Sequence, residues 1–248
     1  MAPFLPQRPN YRGEYIPVGA GVFFVVPALA LLAGLAVLTE LRRSALLHAF
    51  AIAAFAALGL LDDLRGSRAH SGLRGHVTAL LREGKVTTGL VKLVGGAATG
   101  VAIGWLVRPR FQEALLDGAL IALAANLINL LDLRPGRALK GFALGALALV
   151  PAAGFPGMLP LVAVMLPAAG YAPADLRARM MMGDTGSNAL GAALGVTAVL
   201  HLEWGARLAI LTLLLGLHLA SERVSFSRVI ERHPVLRFLD QLGREPRS

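Results

Sequence analysis

Long apolar runs, each close to the thickness of a bilayer core, alternate along this chain with short polar breaks, and several of those breaks carry carboxylates. The runs fall near 17–38, 45–61, 88–107, 114–131, 141–154, 158–171, 188–203 and 205–220. A helix needs about 20 apolar residues to cross the hydrocarbon, and in lipid every backbone polar group must find an internal partner. The pattern therefore predicts an all-α, polytopic integral membrane protein with about eight transmembrane helices. Composition agrees: 56% of the 248 residues are hydrophobic and 16% charged, and the mean hydropathy is +0.64. A soluble domain of this length carries more charge. The first run is too long for the core of a signal peptide and is followed by basic residues, so it reads as an uncleaved span. The whole of 1–248 reads as a single domain, with a polar N-terminal segment at 1–16 and a basic, mostly polar tail at 221–248.

The formal net charge of +9 could point to nucleic acid. No DNA- or RNA-binding motif accompanies it, and the basic residues lie between apolar spans, so no nucleic-acid partner is expected. They read as orientation signals and contacts for anionic head groups or phosphates. With eight spans and an inside start, 18 Lys and Arg fall on the cytoplasmic side. Five, Arg42, Arg43, Arg108, Arg110 and Arg207, fall outside. Trp105 and Trp204 lie at predicted outer ends, where indoles prefer to sit. Both termini and every acidic break are then cytoplasmic. There is no cysteine, which excludes disulfides and thiolate metal sites.

Three polar breaks carry the chemistry. Asp62 and Asp63 are adjacent at the end of the second span, and both can enter one pocket only if that helix frays. Paired carboxylates without a Cys or His cluster suit a hard cation, Mg²⁺ or Mn²⁺; a solvated acidic pair is the plain alternative. Asn126, Asn129 and Asp132 recur at i, i+3, i+6, one stripe of the fourth span. They either line a site or bind neighbouring helices. Met182-Gly183-Asp184-Thr185-Gly186-Ser187 precedes a helix, whose N-terminus Asp184 or Ser187 could cap and whose free N–H groups could receive a phosphate.

Secondary candidates are basic. Arg134, Arg137 and Lys140 follow Asp132 around Pro135-Gly136 and form either an anion-binding feature or a head-group anchor. His76 is a candidate phosphate contact or a solvated loop residue. Lys92 lies within a span and needs an anionic partner or snorkels. His201 and His218 read as packing residues. Glycines at i, i+4 spacing, Gly96/Gly100/Gly104, Gly141/Gly145 and Gly191/Gly195, read as close helix-packing faces.

Gly59-Leu60-Leu61-Asp62-Asp63-Leu64-Arg65-Gly66, Asn126-x-x-Asn129-x-x-Asp132 and Met182-Gly183-Asp184-Thr185-Gly186-Ser187, in that order, resemble the polyprenyl-phosphate sugar-1-phosphate transferase superfamily. It includes phospho-N-acetylmuramoyl-pentapeptide transferase and the polyprenyl-phosphate N-acetylhexosamine-1-phosphate transferases. The resemblance covers about residues 10–220. It implies that Asp62 and Asp63 serve phosphate activation or metal positioning, with Asp63 beside the metal, and that Asp184 is a Mg²⁺ ligand. It places Asp132, with Asn129, in the nucleotide-sugar and catalytic region. The chain departs from the family after Asp132. Where Gly-x-Asp-Gly is usual, it has Leu133-Arg134-Pro135-Gly136, and its tail holds only His233 in place of a His-rich motif. Asn10-Tyr11-Arg12-Gly13-Glu14 stands where a substrate-binding loop would be.

The function expected is a Mg²⁺-dependent transferase of the cell membrane with its site on the cytoplasmic face. It would move a sugar-1-phosphate from a nucleoside-diphosphate sugar, typically a UDP sugar, to a polyprenyl phosphate for cell-envelope glycan assembly. Expected partners are the polyprenyl phosphate lipid, the nucleotide sugar and membrane lipids, with a homodimer left open. The alternative is a non-catalytic protein that binds a lipid phosphate or assists membrane assembly.

Overall fold

A computed structural model describes residues 5–66 and 72–244, apart from the side chains of 72–74, 76 and 77. His76 therefore lies outside the described side chains. Among the described residues the chain forms a two-stranded hairpin, β1 (Gln7–Pro9) and β2 (Tyr15–Pro17), and ten helices. These are α1 (Val22–Leu38), α2 (Arg42–Arg65), α3 (Gly72–Glu83), α4 (Thr88–Val107), α5 (Phe111–Leu131), α6 (Arg137–Leu176), α7 (Gly183–His201), α8 (Trp204–Ser221), α9 (Phe226–Arg232) and α10 (Pro234–Gln241).

The all-α expectation holds. Five helices, α2, α4, α5, α6 and α8, are long and apolar enough to cross a membrane. Outward-facing Val37, Leu93, Val94, Leu147, Leu166, Leu213 and Leu219 remain exposed on α1, α4, α6 and α8, as lipid-facing side chains would be. The protein is thus an apolar helical bundle suited to a membrane.

The two short runs at 141–154 and 158–171 become the limbs of α6. A continuous 40-residue helix would be about 60 Å long, yet the Gly136 N–H donates to Asp175 Oδ2 at 2.6 Å. The chain folds back at Gly154, whose φ of +62 and ψ of 176 are non-helical. Only glycine adopts that conformation readily, and Pro156 just beyond it restarts the helix without needing a donor.

At the centre stands α7, almost entirely buried from Thr185 to Val199. Its small residues let it approach α2, α5 and α6 closely. The glycine faces read from the sequence behave likewise: a Cβ on Gly100 of α4 would come within 2.5 Å of the Gly118 carbonyl oxygen of α5. His48 of α2 is buried, with Nε2 2.9 Å from Thr197 Oγ1 of α7.

At one end of the bundle the N-terminal hairpin is stitched to the loop before α7. Met181 N–H donates to the Pro17 carbonyl, Ala20 N–H to that of Met181, and Gly21 N–H to that of Met182, at 2.8–3.0 Å. The tail is not merely polar, since it folds into α9 and α10 against the loop at 134–140.

Candidate active site at the acidic end of the bundle

The three polar breaks meet at this end. The arrangement begins with α2, which does not fray: it stays helical through Arg65. Successive helical residues diverge by about 100°, so Asp62 and Asp63 face different neighbours. Asp63 faces α7 and Asp62 faces α4.

Asp63 is 4% exposed. It accepts the N–H groups of Asp184 (3.0 Å) and Thr185 (2.9 Å) and the Thr185 hydroxyl (2.6 Å). A side chain from another helix thus caps α7, and neither Asp184 nor Ser187 does so, contrary to the sequence expectation. The first donors of α7, expected to be free for a phosphate, are therefore taken up by Asp63. Gly183 makes the approach possible. It sits at φ +67, and a Cβ there would lie 2.6 Å from both Asp63 oxygens. Gly59, one turn before the acidic pair, is equally constrained, because a Cβ on it would lie 2.2 Å from the Asp184 carbonyl oxygen.

Asp62 accepts a short hydrogen bond from the Thr88 hydroxyl. Lys92, one turn further along α4, forms a short ion pair with Asp184, and its Nζ is 3.8 Å from Asp62 Oδ2. The three side chains are 19–25% exposed, so the cluster is partly open. Lys92 does not merely snorkel: it pairs with an acid on each side.

The asparagine stripe reaches the same place. Asn129 Oδ1 accepts the Ser187 hydroxyl at 2.9 Å, and that hydroxyl also lies 2.8 Å from the Gly183 carbonyl. Asn126 is half-buried one turn deeper. Asp132 follows the last turn of α5, half-buried beside the Gly183 backbone. Burial first, then repulsion from Asp175, Asp184 and Asp63, raises its pKa well above the ordinary carboxylate range. With Asn10, Tyr11, Arg134, Asp175 and Met181 it lines a small cavity of about 50 Å³. Ala178, on the same wall, holds φ +53, a strained conformation for a residue with a Cβ. A larger cavity of about 240 Å³ between the limbs of α6 is almost wholly apolar and holds none of the carboxylates.

The basic cluster after Asp132 is divided in its use. Arg134 lies 5.0 Å over the Tyr11 ring and 3.5 Å from Glu231. Arg137 is 5% exposed and grips Asp240 of α10 with Nε (2.9 Å) and NH2 (3.1 Å), while NH1 reaches the Ser227 hydroxyl. Lys140 donates to the Asp240 carbonyl. Arg137, expected to present a free fork to a substrate, instead holds the tail, because a buried guanidinium must have a carboxylate partner. Burial pushes the Asp240 carboxyl up, but Arg137 and Arg244 outweigh this and hold its pKa below the ordinary value.

Two residues here carried no sequence signal. Asp175, 3% exposed, holds the Gly136 N–H at the start of α6 from 39 positions away; only the fold of the hairpin creates that contact. Thr88 looked like an ordinary helix-start residue.

Among the described residues no three His, Cys, Asp or Glu side chains form a ready metal cage. The donor set still fits one hard cation in part. Asp62 and Asp184 lie together beside the Lys92 side chain, and Mg²⁺ usually takes one or two carboxylates, completing its shell with water and phosphate. Asp63 fits less well as a ligand, since both its oxygens already accept hydrogen bonds from α7. No protein-family model matches this chain, and no curated protein matches it.

Proposed function

We propose that this protein is a membrane transferase that moves a sugar-1-phosphate from a nucleoside-diphosphate sugar, with UDP sugars the first to test, to a polyprenyl phosphate. The observation that carries this reading is the meeting of Asp62, Asp63, Asn129, Asp132 and Asp184 at one end of an apolar bundle, with Lys92 among them. In membrane helices such groups are costly and mark functional sites. The lipid substrate reaches such a site from the bilayer and the nucleotide sugar from water. The finer topology belongs to the same proposal: eight crossings, counting α1, α7 and both limbs of α6, with the acidic end and both termini in the cytoplasm.

A phosphate oxygen of the acceptor attacks the β-phosphorus of the donor. A new P–O bond forms, the bond to the α-phosphate bridging oxygen breaks, and the nucleoside monophosphate leaves with the electron pair. A phosphate monoester with its second pKa near ~6 is already largely ionised at neutral pH, so no general base is required. Asp62 and Asp184 would hold Mg²⁺ or Mn²⁺, which supplies charge neutralisation on the pyrophosphate oxygens. Asp63 positions Asp184 by fixing the N-terminus of α7. Lys92 pairs with both acids and presents a cation to phosphate. Asp132 and Asn129 border the donor side, where Arg134 and Tyr11 close the small cavity.

The test is release of nucleoside monophosphate by purified protein given polyprenyl phosphate and a panel of nucleotide sugars, with Mg²⁺ or with chelator. Metal-dependent release supports the proposal. Binding of polyprenyl phosphate with no turnover on any donor would favour the non-catalytic reading, in which Lys92 permanently neutralises Asp62 and Asp184.

A further inference from the structure

The C-terminal helix α10 has two unlike sides. Asp240, on one side, is 8% exposed and bound by Arg137 and Arg244. Val235, Phe238, Leu239 and Leu242 lie at i, i+3, i+4 and i+7, which places them on one stripe facing away from Asp240. They are exposed by 60, 65, 41 and 53%. A stripe of that kind left in water opposes folding, so something apolar covers it.

The neighbouring charges indicate what. Arg223, Arg228, Arg232 and Arg237 are all exposed along the same segment; of its acids, Asp240 is neutralised within the protein, Glu231 lies 3.5 Å from Arg134 and Glu222 is exposed, so cations remain in excess. The segment begins where α8 ends, and the exposed apolar surface of α8 at Leu215 and Leu219 continues into Val224. An apolar stripe with flanking arginines, leaving the end of a bilayer-length helix, has the composition of a helix lying in the head-group region. Its cations match anionic lipid.

We infer that α9 and α10 form an interfacial foot. The Val235–Leu242 stripe enters the surface of the membrane that the bundle occupies, the arginines contact anionic head groups, and Asp240 ties the foot to Arg137 beside the acidic end. The partner is the anionic lipid surface itself, and the inference does not depend on any transferase activity.

The chain lacks cysteine, so single probes can be placed at Phe238→Cys, at Leu242→Cys on the same stripe, and at Gln241→Cys off it. Each full-length variant carries an environment-sensitive fluorophore in phosphatidylcholine vesicles made with and without phosphatidylglycerol. The expected result is that brominated lipid quenches positions 238 and 242 several-fold more than 241, and iodide the reverse. The contrast should weaken without phosphatidylglycerol and in the triple variant Arg228→Gln, Arg232→Gln, Arg237→Gln. Iodide quenching of 238 and 242 equal to that of 241 would overturn the inference, because the stripe would then lie in water. Protection of both positions from both quenchers would also overturn it, and would assign the stripe to a second copy of the chain. Equal lipid quenching with and without phosphatidylglycerol would remove the anionic surface as the partner.

Discussion

The two ends of α5 carry buried charges that are treated in opposite ways. Asp117 and Asp132 are separated by about 22 Å along the helix, from its rise of ~1.5 Å per residue. Around Asp117, 0% exposed, Arg207 and Arg108 bind the carboxylate, and Glu113 lies 2.8 Å from Arg207 and 3.4 Å from Arg108. Arg108 also donates to the Val199 carbonyl at the far end of α7. Arg110 lies 3.6 Å from Glu113 as well, so three arginines face two carboxylates there, and the group joins α4, α5, α7 and α8. At the other end Asp62, Asp63, Asp132, Asp175 and Asp184 gather, and among the described residues Lys92 is the one cation within salt-bridge distance of any of them.

Burial of charge alone does not identify a site; unpaired acid does. Around Asp117 each carboxylate is paired with arginine, and the cluster serves as a clasp. At the acidic end five carboxylates share one ammonium within salt-bridge distance, the composition expected of a site for a cation. Burial first, and then their mutual repulsion, opposes ionisation and raises the pKa of Asp132.

The largest effect is expected for Asp184→Asn, which should reduce transferase turnover by on the order of 10²–10³ or more, the scale of losing a key electrostatic group. Its unfolding temperature in detergent should stay near that of the parent protein. Asp117→Ala should do the reverse. It leaves Arg207 and Arg108 without their buried partner, which costs about 3–5 kcal/mol, so thermal unfolding should shift sharply downward. If both variants lose stability alike, the two ends do not differ in kind.

Thr185→Val is a smaller probe. It removes one of three hydrogen bonds to Asp63 and should cost about 1.5–3 kcal/mol in chemical denaturation, with turnover falling as Asp184 loses its placement. Arg137→Lys should change donor KM by less than about tenfold, well short of the ~1.5–3 kcal/mol effect of losing a charged contact to substrate. It should instead loosen the tail, seen as faster tryptic cleavage within 223–244. A large donor KM effect with an intact tail would return Arg137 to the substrate.

The smallest effect concerns pH. The folded pKa of Asp240 lies below its unfolded value, so its contribution to tail docking is complete above the ordinary value of ~3.9. That contribution is lost as pH falls through the lower folded value. Mobility of a probe on α10 should stay flat from neutral pH down to about that point and rise only below it.

Much of this was legible in the chain itself. The apolar runs marked the helices, and the break between the runs at 141–154 and 158–171 proves to be the turn of a hairpin. The three acidic motifs named the residues that converge. What they could not reveal was which partner each group takes. Asp62 and Asp63 are identical neighbours in sequence, and only the 100° between them sends one to Lys92 and the other to the start of α7. Arg137 looked free because Asp240 lies 103 residues away. Arg108 and Arg207 read only as outer orientation charges, and Asp117 gave no signal of its own; their pairing depends on how α4, α5 and α8 pack.

Whether the acidic end holds a divalent cation between Asp62 and Asp184 is decided by titrating purified protein with Mn²⁺ and counting bound metal by electron paramagnetic resonance. The expectation is one site per chain, displaced by Mg²⁺ and lost in Asp62→Asn and in Asp184→Asn. A Mn²⁺ site unchanged in both variants, or no site in the parent protein with or without polyprenyl phosphate and nucleotide sugar, would contradict it.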